Sequence, residues 1–226
     1  MRRLFYKTMA ALLMLSLAAA TPGVEALEGA RFQFFMPRQP VQTAARPVAG
    51  ARPIGISRGH YYGSHPASDV FVTQTVKHTC TLVAATMMLR NYACQRGMPY
   101  ALMSASVVSR YCWTKKYGLS RSFSVGQVEV ACSPEIHGVS DKKQYLIDQL
   151  MKHREGVVIY DTGAPHAIWL FGYDAATDTF WAADTIRSRG GRAIPLADSI
   201  IKGANQQEKV DTIDKIWYIV EKGSEV

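Results

Sequence analysis

The chain has 226 residues and a formal charge of +8 at pH 7, from 26 Lys/Arg against 18 Asp/Glu. That length is enough for one domain with its own core. The basic excess is diffuse, with no run of five like charges and no aromatic–basic interleaving, so it supports weak attraction to an anionic envelope and gives no motif for nucleic-acid binding.

The N-terminus, "MRRLFYKTMAALLMLSLAAATPGVEA", has a basic start (Arg2, Arg3, Lys7), an apolar stretch from Met9 to Ala20, and small residues at Val24 and Ala26. This is the layout of a secretory signal peptide with a cut near Ala26. Its apolar part falls short of the ~20 residues a membrane span needs. The expected product is a soluble protein, secreted or held in the periplasm or cell envelope. Removing residues 1–26 leaves 23 Lys/Arg against 17 Asp/Glu, a net charge of +6. Residues 27–68, including "MPRQPVQTAARPVAGARPIGISRGHYYGSHPAS", are rich in Pro, Ala, Gly and Arg without helical or strand period. Such a segment buries too little apolar surface to offset the entropy of ordering, and is predicted to be a mobile linker or a pro-segment.

The globular region is expected over 69–226. "DVFVTQ" reads as a short strand. Residues 80–96 read as a helix apolar on most sides (Leu82, Val83, Ala84, Ala85, Met87, Met88, Leu89), hence central and buried, and "RGMP" stops it. A second helix is expected over 100–112, a loop-rich stretch over 114–138, and a third helix in "SDKKQYLIDQLMKHREG", capped by Ser140 or Asp141 and stopped by Gly156. Four short runs rich in Val, Ile, Trp, Phe and Tyr follow: "GVVIYD", "HAIWLFGYD", "DTFWAADT" and "KIWYIVEK". The middle two are spaced for an antiparallel hairpin. Helices followed by strands predict an α+β domain rather than alternating βαβ units.

Cys80, Cys94, Cys112 and Cys132 lie at intervals of 14, 18 and 20 residues. No CxxC or HExxH pattern occurs, which argues against a zinc site. An even count in an exported chain suggests disulfides; with Cys80 free, any bridge uses two of the other three. Cys80 opens the buried helix, where a thiol meets the positive end of the helix dipole and unpaired backbone N–H groups. Gln74, six residues upstream, is in reach as a second oxyanion donor. A nucleophilic thiol needs a base, and the base an orienting partner. His166 opens the strand "HAIWLFGYD" after the turn "DTGAP", and Asp184 ends the next run, where a hairpin would bring it beside the imidazole. The other histidines read as surface groups: His60 and His65 in the linker, His78 pointing away from Cys80, His137 in a loop, His153 at a helix end.

The order Gln74, Cys80, His166, Asp184, with the block "GAPHAIWLFGYDAATDTFWAADT", resembles the papain-like cysteine peptidases, and is most similar to the bacterial group related to bacteriocin-leader peptidases. Thr81 follows Cys80 where many relatives have glycine. The resemblance covers roughly residues 69–220. It implies a papain-like fold, with a buried N-terminal catalytic helix packed on an antiparallel sheet, and a hydrolase whose substrate is a peptide or protein. Cys80 would attack, His166 relay the proton, Asp184 orient the ring, and Gln74 stabilise the oxyanion. No metal or organic cofactor is implied. The rival readings on the same scaffold are a transamidase, a cell-wall peptide hydrolase, or an inactive binding module.

Overall fold

The computed structural model describes residues 60–101, 103–186 and 190–220. The expected signal peptide, 1–26, and the linker as far as residue 59 lie outside them. The rest of the predicted linker belongs to the fold: Tyr61–Gly63 form strand β1, paired antiparallel with the central strand. Folded structure therefore starts ahead of Asp69.

"DVFVTQ" is not a strand. Ser68–Val70 make one 3₁₀ turn, and Phe71 continues in extended backbone that pairs with no ladder but packs on Trp169 and Phe171. Helix α1, Cys80–Gln95, is buried along most of its length, from Leu82 to Leu89 without a break. It stops in a Schellman motif, in which Gly97 (φ 64°) donates to Cys94 O and Met98 to Ala93 O. Helix α2, Ala105–Cys112, begins later than predicted because the Ser104 side chain caps it by accepting from Val107 N.

The stretch 114–138 is not loop-rich but carries strands β2 (Trp113–Thr114), β3 (Gly118–Leu119), β4 (Ser122–Val125) and β5 (Val128–Cys132). Helix α3, Lys142–Lys152, is capped by Asp141, which accepts from Gln144 N at 2.9 Å. Then come β6 (Val157–Asp161), β7 (His166–Asp174), β8 (Thr179–Ala183), β9 (Ile194–Pro195), a short helix α4 (Gln206–Thr212) and β10 (Lys215–Val220).

The result is a mixed α+β architecture built on one antiparallel sheet, in the order β4-β5-β10-β6-β7-β8-β9, with β1 extending the β6 side of β7. All nine residues of β7 are buried, as befits a strand with neighbours on both edges and helices on both faces. On one face α1 packs against Val158, Ala167, Trp169 and Phe171. On the other, α3 and α4 cover Ile159, Ile168, Leu170 and Phe180. Each large apolar side chain so buried is worth about 1.5–3 kcal/mol relative to exposure. Helix α1 is thus fixed along the sheet, with its N-terminus at the end where β7 begins.

Candidate active site

Cys80 is the first residue of α1. The preceding turn places His78 in the left-handed region (φ 64°), and the Thr79 hydroxyl donates to Val76 O at 2.7 Å instead of capping the helix. The first helical N–H groups are therefore left without a side-chain cap, as an anion-accepting helix start requires.

His166 is delivered by the turn between β6 and β7. Asp161 Oδ1 accepts from Gly163 N (2.8 Å) and Ala164 N (3.1 Å), which fixes the loop leading to Pro165 and His166. Asp184 follows β8. Because Trp169 pairs with Ala183, Asp184 stands two residues off the position opposite His166, and its side chain closes that gap diagonally. His166 Nε2 lies 2.9 Å from Asp184 Oδ1. Asp184 has no solvent exposure and is held by two further donors, Ile186 N to Oδ1 (3.2 Å) and Ile200 N to Oδ2 (3.0 Å).

The same imidazole acts on the Cys80 thiol, through its hydrogen-bonding capacity and its charge. With Nε2 taken by Asp184, Nδ1 is the ring nitrogen available to the thiol. Burial pushes the Cys80 thiol up, but the hydrogen bond and positive charge of His166, with the backbone N–H groups of Ala167 and Thr81, outweigh it and hold the thiol below its ordinary value. Burial likewise lowers His166, yet the hydrogen bonds to Asp184 and Cys80 and their negative charges raise it to about 9. Asp184 resists its own burial through His166 and the Ile200 amide, and stays below the usual carboxylate range. All three directions favour the charged forms, thiolate, imidazolium and carboxylate.

Gln74 lies beside the Asp184 end. Its backbone N–H donates to Thr185 O at 2.6 Å, its Oε1 accepts from the Thr185 hydroxyl at 3.3 Å, and its Nε2 donates to Val76 O at 2.8 Å. The carboxamide is thus anchored on the turn before Cys80, with one of its two N–H bonds committed to that turn.

Cys80 lines a cleft of about 380 Å³ together with His78, Thr81 and Pro165, Tyr117, Gly118, Leu119 and Arg121, and Cys132, Tyr160, Lys215 and Trp217. His78 therefore shares the cleft with Cys80 instead of pointing away. All four cysteines are free thiols, and burial pushes Cys112 up to about 12. Among the described residues no group of three or more His, Cys, Asp or Glu side chains is gathered as a metal ion needs.

Sequence reasoning singles out Cys80, His166 and Asp184, which the fold brings together. It does not find Asp161, although the D-T-G turn signal is readable, or the cleft wall from Arg121 to Trp217, which comes from separate strands and has no local signature. No protein-family model, characterised protein or solved structure matches this chain.

Proposed function

We propose that the protein is an exported thiol hydrolase, a papain-like cysteine peptidase acting on peptide bonds. The observation that carries this reading is the single imidazole placed between two partners, with Asp184 2.9 Å from Nε2 and the Cys80 thiol close enough for the two groups to shift each other's titration.

In this reaction the Cys80 thiolate forms a bond to the carbonyl carbon, and the carbonyl π electrons move to oxygen. The Cys80 backbone N–H and the remaining N–H of Gln74 receive that oxyanion, at ~10²–10³ in rate per donor. As the C–N bond breaks, imidazolium His166 gives its proton to the leaving amine. A water molecule then attacks the acyl-thioester, passes its proton to the neutral ring, and releases the carboxylic acid and the thiolate. Asp184 remains ionised throughout and keeps the ring oriented. The buried helix behind Cys80 and the antiparallel sheet carrying His166 and Asp184 support a papain-like arrangement. The basic-then-apolar N-terminus supports export.

The test is digestion of a mixed peptide library by the purified protein, read by mass spectrometry. New free termini that disappear with Cys80→Ala support the reading. Adding a primary amine separates hydrolysis from transfer, because a transamidase would yield amine adducts. An active Cys80→Ala protein contradicts it.

A further inference from the structure

Resting on the reading of Cys80 as nucleophile, we propose that the cleft beside it takes peptide segments bearing Asp or Glu side chains. The cleft lining includes two permanently cationic side chains, Arg121 and Lys215, and no carboxylate. They arrive from different elements. Arg121 leads into β4, its carbonyl accepting from Cys132 N at 2.6 Å, and Lys215 opens β10.

Strand register explains why they converge. Lys215 is opposite Tyr160, and Trp217 is opposite Cys132, so these four side chains stand on one face of the sheet. The charges of both Lys215 and Arg121 act on the Cys132 thiol between them, although its burial is the larger influence and leaves it raised.

No carboxylate lines the cleft, although three nearby ones offset part of this field. Glu135 lies 3.3 Å from Lys215, half exposed and shared with His137. Asp161, which holds the turn amides of Gly163 and Ala164, and Asp214, which accepts from Thr162 N, both act on Tyr160. Among the described residues no carboxylate forms an ion pair with Arg121.

A second observation is independent of the cleft. From Val70 to Val128 the sequence holds seven Lys/Arg and no Asp or Glu. This stretch supplies the Cys80 helix, the hairpin wall with exposed Lys115 and Lys116, and Arg121. The excess that looks diffuse by run length is segregated into the half of the fold that carries the nucleophile. Like-signed charges around a cleft with low-dielectric walls raise the local concentration of the opposite charge.

Alkylation of Cys80 by iodoacetate and by iodoacetamide reads this field without a known substrate, since the two reagents differ by one carboxylate. The ratio of their second-order rate constants is measured at low salt on the full chain. It is expected to fall about fivefold in Arg121→Gln, to be retained in Arg121→Lys, to fall further with Lys215→Gln added, and to decline in the wild type as salt shortens the Debye length. Equal ratios in Arg121→Gln and Arg121→Lys, or a salt-independent wild-type ratio, overturn the proposal. Failure of iodoacetamide itself to modify Cys80 would instead overturn the nucleophile assignment on which it rests.

Protection of Cys80 by peptides completes the test. A C-terminally amidated peptide with internal Glu is expected to protect, and its Gln counterpart not. Protection only by a neutral peptide with a free C-terminus would assign the cations to a chain terminus and overturn the side-chain reading. Protection by an anionic lipid vesicle but not by the Glu peptide would assign them to a membrane surface, with the same result.

Discussion

Burial alone would favour the protonated Cys80 thiol and the neutral His166 ring; each shifts the other toward its charged form, with Asp184 behind the ring. The consequence is a bell-shaped kcat/KM profile. Activity rises with pH as Cys80 loses its proton, at a lower pH than an ordinary thiol would, because its pKa is lowered. It falls again as His166 loses its proton near pH 9, because that group is raised. Asp184→Asn removes the main support of the imidazolium, so the alkaline limb moves toward the unperturbed histidine range of about 6.5 and the bell narrows from its basic side. Hydrolysis should drop by several powers of ten, since loss of the orienting carboxylate in a serine-protease triad costs about 10⁴, yet by less than with Cys80→Ala. A profile of unchanged width in Asp184→Asn would remove Asp184 from the site.

At the scale of elements, Gly156 joins α3 to β6 with φ +90°, and a Cβ there would lie 2.5 Å from both Leu170 O and Trp169 Nε1. Gly156→Ala is predicted to destabilise by more than ~1 kcal/mol, read as a lower urea midpoint with unchanged slope. The elements legible in the sequence are those whose side chains all obey one period or one buried environment. The helix from Cys80 is apolar all round because it is buried, and "HAIWLFGYD" is a continuous apolar run because β7 is covered on both faces. The 114–138 segment reads as loop because its strands have two to five residues, too short for alternation to rise above loop composition. Even so, "SFSVGQVEVAC" holds a hairpin whose two-residue turn opens with Gly126 at φ 61°. Helix α4 has no long apolar period to announce it, although Asn205 and Glu208 cap it reciprocally: Asn205 Oδ1 accepts from Glu208 N, and Glu208 Oε2 from Ala204 N. "DVFVTQ" misleads because β-forming residues make a strand only where they pair along an edge, and here Phe71 packs on Trp169 and Phe171 while Gln74 N alone bonds across, to Thr185 O. The site is more legible than the fold around it, since Cys80, His166 and Asp184 each sit at the end of an element, where chain punctuation is strongest.

For the whole molecule, the point at which the folded domain begins becomes a measurable quantity. Strand β1 is joined to the core by its ladder on β7, by Ser64 N to Phe171 O (3.0 Å) and by Asn91 Nδ2 to Ser64 Oγ (2.8 Å). A chain beginning at Gly59 is expected to melt like one beginning at Leu27, whereas one beginning at Ser68 should lose roughly 6–12 °C, from about 3 kcal/mol at ~2–4 °C per kcal/mol. The first pair also separates linker from pro-segment. Equal peptidase activity from Leu27 and from Gly59 is predicted; a rise of about tenfold in the shorter chain, ~1.4 kcal/mol of relieved inhibition, would mark residues 27–58 as inhibitory.

The proposal that Cys80 alone of the four cysteines reacts as a nucleophile is tested most directly by treating the native protein with limiting iodoacetamide at pH 6 and mapping the modified residue. Carbamidomethylation is predicted at Cys80 and lost in His166→Ala, with Cys112 and Cys132 left unmodified because burial holds their protons on. Modification spread among the four cysteines, or at Cys80 at the same rate with His166→Ala, would contradict it.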